Sequence, residues 1–163
     1  AAVLTYLSPG LRLFHQGQLE GRLKRISPHL VRAPQEPVNT RLQSFYNRLL
    51  EILQRAAFHN GRWILLECAP AWGGNESYKN YVAFSWEDSH NEQYVVAVNY
   101  ASERSQCFVK LPFVNLSNQQ WKIQDLFSDA SFDRDGNDLA SRGMFLDEKP
   151  WKYYAFRLIK RGG

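Results

Sequence analysis

Acid–base catalysis needs two carboxylates that converge in a cleft, in surroundings that push their pKa values apart. Of the 16 acidic residues in this 163-residue sequence, only Glu20 and Glu67 are flanked by mostly apolar neighbours. Their spacing gives no reason for the two to meet, and Glu67 reads as a strand residue facing solvent. Glu20 differs because it shares with Gln18 a glycine-bounded loop, Gly17-Gln18-Leu19-Glu20-Gly21. A serine nucleophile would need local activation, yet no Gly-x-Ser-x-Gly occurs. His15, His29, His59 and His90 are scattered through unrelated contexts. His59 suits compensation of a helix dipole, and His90 a solvated hairpin turn. No catalytic set is expected.

Binding chemistry leaves fewer exclusions. Asp133-Arg134-Asp135-Gly136-Asn137-Asp138 superficially resembles a calcium loop, but its glycine stands fourth and Met144 holds the twelfth place. A tight Asp-Gly turn accounts for it without metal. The phosphate-cradling Gly-x-x-x-x-Gly-Lys pattern does not occur, and no cofactor is expected. Cys68 and Cys107 lie in apolar runs and read as free buried thiols, without a partner spaced for zinc. The net charge of +4 raises nucleic-acid binding, but the basic residues are dispersed. Arg22-Leu23-Lys24-Arg25 is the densest group, and Glu87, Asp88, Glu92, Asp129 and Asp133 balance the middle. An ordinary solvated surface is the simpler reading, with no nucleic-acid partner. Aromatic residues are the remaining lead. Trp72 lies beside Gly73-Gly74, Trp121 follows Asn118-Gln119-Gln120, and Trp151 follows Pro150. Indoles with amides around them can form a sugar platform; the competing reading is that each closes off the core.

The elements that must carry these residues are legible in part. A hydrophobic content of 44% supports one well-buried core. No apolar run approaches the roughly 18–20 residues of a membrane span, so no membrane partner is expected. The amino end lacks the basic start and cleavage pattern of a signal peptide, and the compartment stays open with the cytoplasm slightly favoured. Residues 1–7 suit a helix stopped by Ser8-Pro9-Gly10. Leu11, Leu13 and Phe14 then predict a short strand feeding the polar loop at Gly17–Gly21. No neighbouring strand is in sight for it, so the chain is expected to begin inside a domain whose earlier part lies upstream. Residues 22–39, punctuated by Pro28, Pro34 and Pro37, predict a long irregular connection.

Thr40 and Gln43 match a capping box that opens a helix over 40–59. Leu42, Phe45, Tyr46, Leu49 and Leu53 give that helix a wide apolar stripe, and Asn60-Gly61 suits a left-handed end. From residue 62 the period becomes two, with strands predicted at 63–69, 81–86, 94–100, 106–111, 121–126, 144–147 and 151–159. Many short strands separated by turn residues imply an antiparallel β-sandwich. The expected fold is mainly β with an α-helical N-terminal part, divided into residues 1–60 and 61–163.

With these pieces in order, the chain resembles the carboxyl-terminal part of the α-amylase family of glycoside hydrolases and transglycosylases. Pro9-Gly10-Leu11-Arg12-Leu13-Phe14-His15-Gln16-Gly17-Gln18-Leu19-Glu20-Gly21 looks like the family's final barrel strand and the loop after it. Tyr94-Val95-Val96-Ala97-Val98-Asn99-Tyr100 is similar to a strand of the sandwich that follows the barrel. Trp121 to Asp125, Arg134-Asp135-Gly136, Gly143-Met144-Phe145-Leu146-Asp147 and the closing Pro150-Trp151 continue the pattern in order. The resemblance implies a remnant of a (β/α)8 barrel, its last strand and helix, ahead of the sandwich. It implies a parent acting on α-glucosidic bonds by retaining double displacement. The family's three catalytic acids belong to earlier barrel strands, and no position here matches them, so this chain should be non-catalytic. Its implied partners are the parent's catalytic barrel and α-glucan. Gln18 and Glu20 would sit at the rim of the barrel, although Leu19 departs from the family's commoner Gly-Gln-Glu form. Without the barrel, the stripe of Leu42, Phe45, Leu49 and Leu53 should lie bare and drive self-association through residues 1–60.

Overall fold

The period-two stretches pair into nine antiparallel strands among the described residues, arranged in two sheets. The computed structural model describes residues 1–24, 32 and 34–161. The larger sheet runs β1 (Arg62–Leu65), β3 (Tyr81–Glu87), β4 (Gln93–Asn99), β9 (Tyr153–Lys160), β6 (Gln120–Asp125) and β7 (Ser131–Asp135). The smaller runs β2 (Cys68–Ala69), β5 (Ser105–Val109) and β8 (Met144–Glu148). Alternation decides what faces what. On one face of the large sheet Ala83, Val95, Ala97, Phe156 and Leu158 meet Cys107, Val109, Met144 and Leu146 of the small sheet. On its other face Phe84, Trp86, Tyr94, Val96 and Ala155 meet helices. The central strand β4 is therefore buried along its whole length.

The helical cover is α1 (Ala2–Leu7), α2 (Thr40–Leu53) and α3 (Ala57–Asn60). Tyr46, Leu49, Ile52 and Leu53 of α2 and Phe58 of α3 enter the same core as Val3, Tyr6 and Leu7 of α1. The Trp86 indole donates to the Leu7 carbonyl at 2.7 Å, satisfying an acceptor at the end of α1. Arg48 of α2 donates to the Leu126 carbonyl and pairs with Asp129 beyond β6. The result is a sandwich-like pair of sheets with a third, helical layer on its outer face. No helix among the described residues is long and apolar enough to cross a membrane.

Five local expectations require correction. The helix predicted over 40–59 breaks after Leu53 and resumes as α3, with Gln54–Ala56 turning between them. Its N-cap is Asn39, whose side chain accepts from the Leu42 amide at 3.0 Å; Thr40 is the first helical residue. Gly61 is extended, with φ −76°, so no left-handed cap forms there. Glycine is needed for proximity: a β-carbon at Gly61 would lie 2.4 Å from the Ala57 carbonyl oxygen. The run 63–69 is two strands in different sheets. Leu66 still donates to Ala83 in the large sheet, and the next carbonyl, Glu67, accepts from Lys110 beside the small one. Finally, the supposed Asp-Gly turn at 133–138 is strand β7 leading into α4 (Gly136–Ser141), capped by the Asp135 carboxylate on the Asn137 and Asp138 amides.

The opening stretch also differs. Residues 11–15 form no strand; they run irregularly over the helices. Arg12 is the cause. Its guanidinium donates to the carbonyls of Tyr6 (2.7 Å) and Phe58 (2.6 Å), joining the ends of α1 and α3. Phe14 stacks on Tyr6 at 4.2 Å between ring centres. Arg12 and Phe14 thus face inward, leaving Leu11 and Leu13 96% and 77% exposed. The α2 stripe is covered instead: Leu49 is fully buried, Leu53 nearly so, and Leu42 and Phe45 pack against the same core. The irregular connection is described at its ends, where Glu36 accepts from the Leu23 and Lys24 amides, and at Arg32 between them. Arg25, Pro28 and His29 lie outside the described residues.

Candidate functional site

The outward positions of the small sheet are built from alternation. Ser105, Cys107 and Val109 of β5 and Met144 and Leu146 of β8 point to the core, which turns Phe108 and Phe145 outward. These two are directly opposite across the ladder, with ring centres 5.3 Å apart. The loop after β2 brings Trp72 to the same face, with its side chain 55% exposed. Arg134 of β7, Asp138 of α4 and Arg142 just beyond it complete the walls of a groove of about 430 Å³. Gly143 closes the base: its φ is +91°, and a β-carbon there would lie 2.3 Å from the Val109 carbonyl oxygen.

The charges of the groove are arranged unevenly. The Arg142 guanidinium lies 4.7 Å over the Phe108 ring, and that of Arg134 lies 5.7 Å from Phe132. Neither takes part in an ion pair among the described residues. A second recess of about 180 Å³, between β6–β7 and β8, shares Arg134 and Phe145 with the groove. Its acids are already engaged. Asp147 accepts two bonds from Arg104, at 2.7 and 2.8 Å, which hold its carboxyl below the usual range. Glu148 accepts from the Tyr154 hydroxyl at 2.6 Å; burial, and then that bond, push the phenol up and keep it neutral. A platform of exposed rings edged by guanidiniums and one carboxylate can stack on a sugar face and bond its hydroxyls.

The predicted site residues fare unequally. Trp72 stands in the groove as described. Trp121 does not belong to a surface: it is 7% exposed in the core, with its indole donating to the Leu116 carbonyl at 3.0 Å. Asn118 and Gln119 before it lie in the turn and Gln120 opens β6, and this polar run hid an inward-facing position of β6. Trp151 is 55% exposed, at φ +59° in the turn before β9, and meets Tyr100 edge-on at 5.5 Å. It borders a separate recess of about 270 Å³ with Leu4, Phe45 and Tyr153, so Trp72 and Trp151 share no cleft.

Gln18 has a structural post. Its amide donates to the Tyr6 and Tyr46 hydroxyls, the second at 3.0 Å, pinning the loop to α1 and α2. Gly17 and Gly21 both take left-handed φ, +82° and +70°, to make the turn that allows this. Glu20 contributes its backbone carbonyl to the Asn39 amide at 2.9 Å. Glu67, His15, His59 and His90 are exposed. Cys68 and Cys107 are free thiols, but only Cys107 is buried, Cys68 being half-buried at the edge of β2, and the bond from Cys107 lowers the pKa of Cys68. Among the described residues no group of three metal-ligating side chains occurs.

Phe108, Phe145 and Arg142 escaped the sequence reading as binding residues, and Arg134 and Asp138 were weighed only within a calcium-like run. The period-two pattern contained the signal for the two phenylalanines, as the apolar residues left on the outer face. The three charged residues depended on recognising β7 and α4. No protein-family model matches the chain, and a search of curated proteins returns no significant match.

Proposed function

We propose that this chain is the carboxyl-terminal part of an α-amylase-type enzyme acting on α-glucosidic bonds, and that it serves there as a non-catalytic brace for the barrel. The carrying observation is the stretch from Leu11 to His15, tied inward through Arg12 and Phe14 while Leu11 and Leu13 stand bare. The stretch forms no strand here, but docked residues alternating with exposed apolar ones leave a bare apolar rim that the missing barrel would cover in this reading. In this reading the loop that Gln18 pins beneath it, with Glu20, is a strut at the barrel's rim. The helical layer is a rigid mount for both.

Two results are expected. The chain should show no turnover of starch, maltooligosaccharides or an aryl α-glucoside; turnover that a substitution within this chain abolishes would overturn the reading. In sedimentation the chain should self-associate through its bare leucines. Leu11→Ser with Leu13→Ser should give a monomer whose melting temperature moves by less than about 2 °C, because exposed positions carry little stability. A clean monomer of the unaltered chain at high concentration counts against that face.

A second reading, α-glucan binding at the Trp72 groove, is favoured by a half-exposed indole beside the Phe108–Phe145 pair and Arg142. Calorimetric titration with maltoheptaose should show binding that Trp72→Ala weakens about thirtyfold, the loss of one central anchor. Trp151→Ala, in its separate recess, should leave it unaltered. Absence of heat at millimolar sugar leaves the brace alone.

A further inference from the structure

We infer that the groove is made for an anionic glucan, one carrying phosphate monoesters; the inference rests on the second reading above, that the Trp72 groove binds α-glucan. The ring platform alone does not discriminate between neutral and charged chains, since stacking uses the sugar's carbon face. Charge does. Two guanidiniums line the groove against one carboxylate, Asp138. The Lys110 ammonium stands just behind, donating to the Arg142 carbonyl at 3.0 Å and the Ser141 carbonyl at 3.4 Å. Of the nearby acids, Asp147 is paired with Arg104 and Asp133 with Arg161, while Glu148, in the neighbouring recess, is bonded to the Tyr154 hydroxyl.

Orientation adds to charge. A guanidinium lying over a ring presents its N–H edge sideways, and Arg142 lies 4.7 Å over Phe108. Arg134 spends one N–H on the neighbouring Asp133 carbonyl at 2.9 Å and keeps the rest of its fork. A phosphate monoester is close to a dianion at neutral pH and accepts such forks in pairs. A sugar hydroxyl uses them singly and returns no charge. The groove therefore combines a surface for the glucose ring with a fork for a substituent on it. RNA would also bring phosphate and flat rings, but the basic residues are dispersed along the sequence, which argues for the glucan.

The test compares three probes by calorimetry with the whole chain: maltoheptaose, maltoheptaose bearing a 6-phosphate on one glucose, and an oligouridylate of equal length. The phosphorylated glucan should bind about tenfold more tightly than the neutral one, the effect of one charge-assisted contact. The ratio should fall toward one in roughly half-molar salt. Arg134→Gln with Arg142→Gln should also bring it to one; a melting curve checks that the variant is folded. Equal affinities for the two glucans in the unaltered chain overturn this inference and leave the glucan platform standing. Failure of both glucans to bind removes the platform as well. Tighter binding of the oligouridylate overturns the inference in favour of a nucleic-acid surface.

Discussion

Deleting residues 1–60 is expected to leave 61–163 unable to persist as a soluble folded monomer. The boundary at 60/61 separates α1–α3 from all the strands, but it cuts through one of the chain's two buried clusters. Val3, Tyr6, Leu7, Tyr46, Leu49, Ile52, Leu53, Ala57 and Phe58 are buried against Phe84, Trp86, Tyr94, Val96, Val98, Leu126 and Ala155. Each such side chain contributes about 1.5–3 kcal/mol on burial, so the helical layer supplies on the order of 10 kcal/mol or more. A domain of this size has a net stability of about 5–15 kcal/mol, which the loss would consume. The deletion would also orphan the Trp86 indole, now bonded to Leu7, inside a bared apolar face. Circular dichroism and sedimentation of 61–163 beside the whole chain give the measurement. A soluble monomer of 61–163 with a cooperative melt close to the parent's would sink the expectation.

The second large effect is expected at Asn99, which ends the central strand and is fully buried. Its side-chain amide donates to three backbone carbonyls, Glu103 (2.8 Å), Lys149 (3.0 Å) and Glu148 (3.1 Å). One side chain thus gathers the turn after β4 and the turn after β8, which also holds Trp151. Asn99→Ala should lower stability by about 3 kcal/mol, because it removes three bonds at once and leaves the Lys149 and Glu103 carbonyls with only the longer bonds, at 3.3 Å, from the Lys152 amide and the Ser105 hydroxyl. Asn99→Asp should be at least as damaging, since a carboxylate of the same size offers no donor and repels them. Urea unfolding of both variants tests the claim. If Asn99→Asp lies within about 0.5 kcal/mol of the parent, donation is not what the residue does. Asn99, at the end of the Val95-Val96-Ala97-Val98 run, thus closes two turns.

The sandwich was readable because its central strands are unambiguous: Val95, Val96 and Val98 can only be covered, and the turn residues around them bound the run. What could not be read were the places where one side chain outweighs a pattern. In Leu11-Arg12-Leu13-Phe14 three apolar residues suggested an apolar strand face, but a long guanidinium with two helix-end carbonyls in reach docked the other way. Strand β7, Ser131–Asp135, is short, charged and exposed at a sheet edge. Those are features that protect an edge from unwanted pairing, and they also remove the hydrophobic signature of a strand. Its loss from view took Arg134 with it, and hence half of the charge in the groove. Trp121 failed in the opposite sense, since neighbours in sequence cannot reveal which face of a strand is covered. The stripe on α2 was seen correctly as apolar, but the face that covers it comes from strands far along the chain, with Phe45 meeting Tyr153 of β9.

The placing of β9 against β4 bears on how the chain comes off the ribosome. Gln93 pairs with Leu158 and Val98 with Tyr153, so one whole edge of the central strand waits for residues made some 55–65 positions later. At about 5–20 residues per second that is an interval of several seconds. During it Tyr94-Val95-Val96-Ala97-Val98, the most β-prone run in the sequence, has a partner on one side only, β3. Nascent chains stalled or cut in that window would present the run to one another. Strand β9 is the one that ends the exposure.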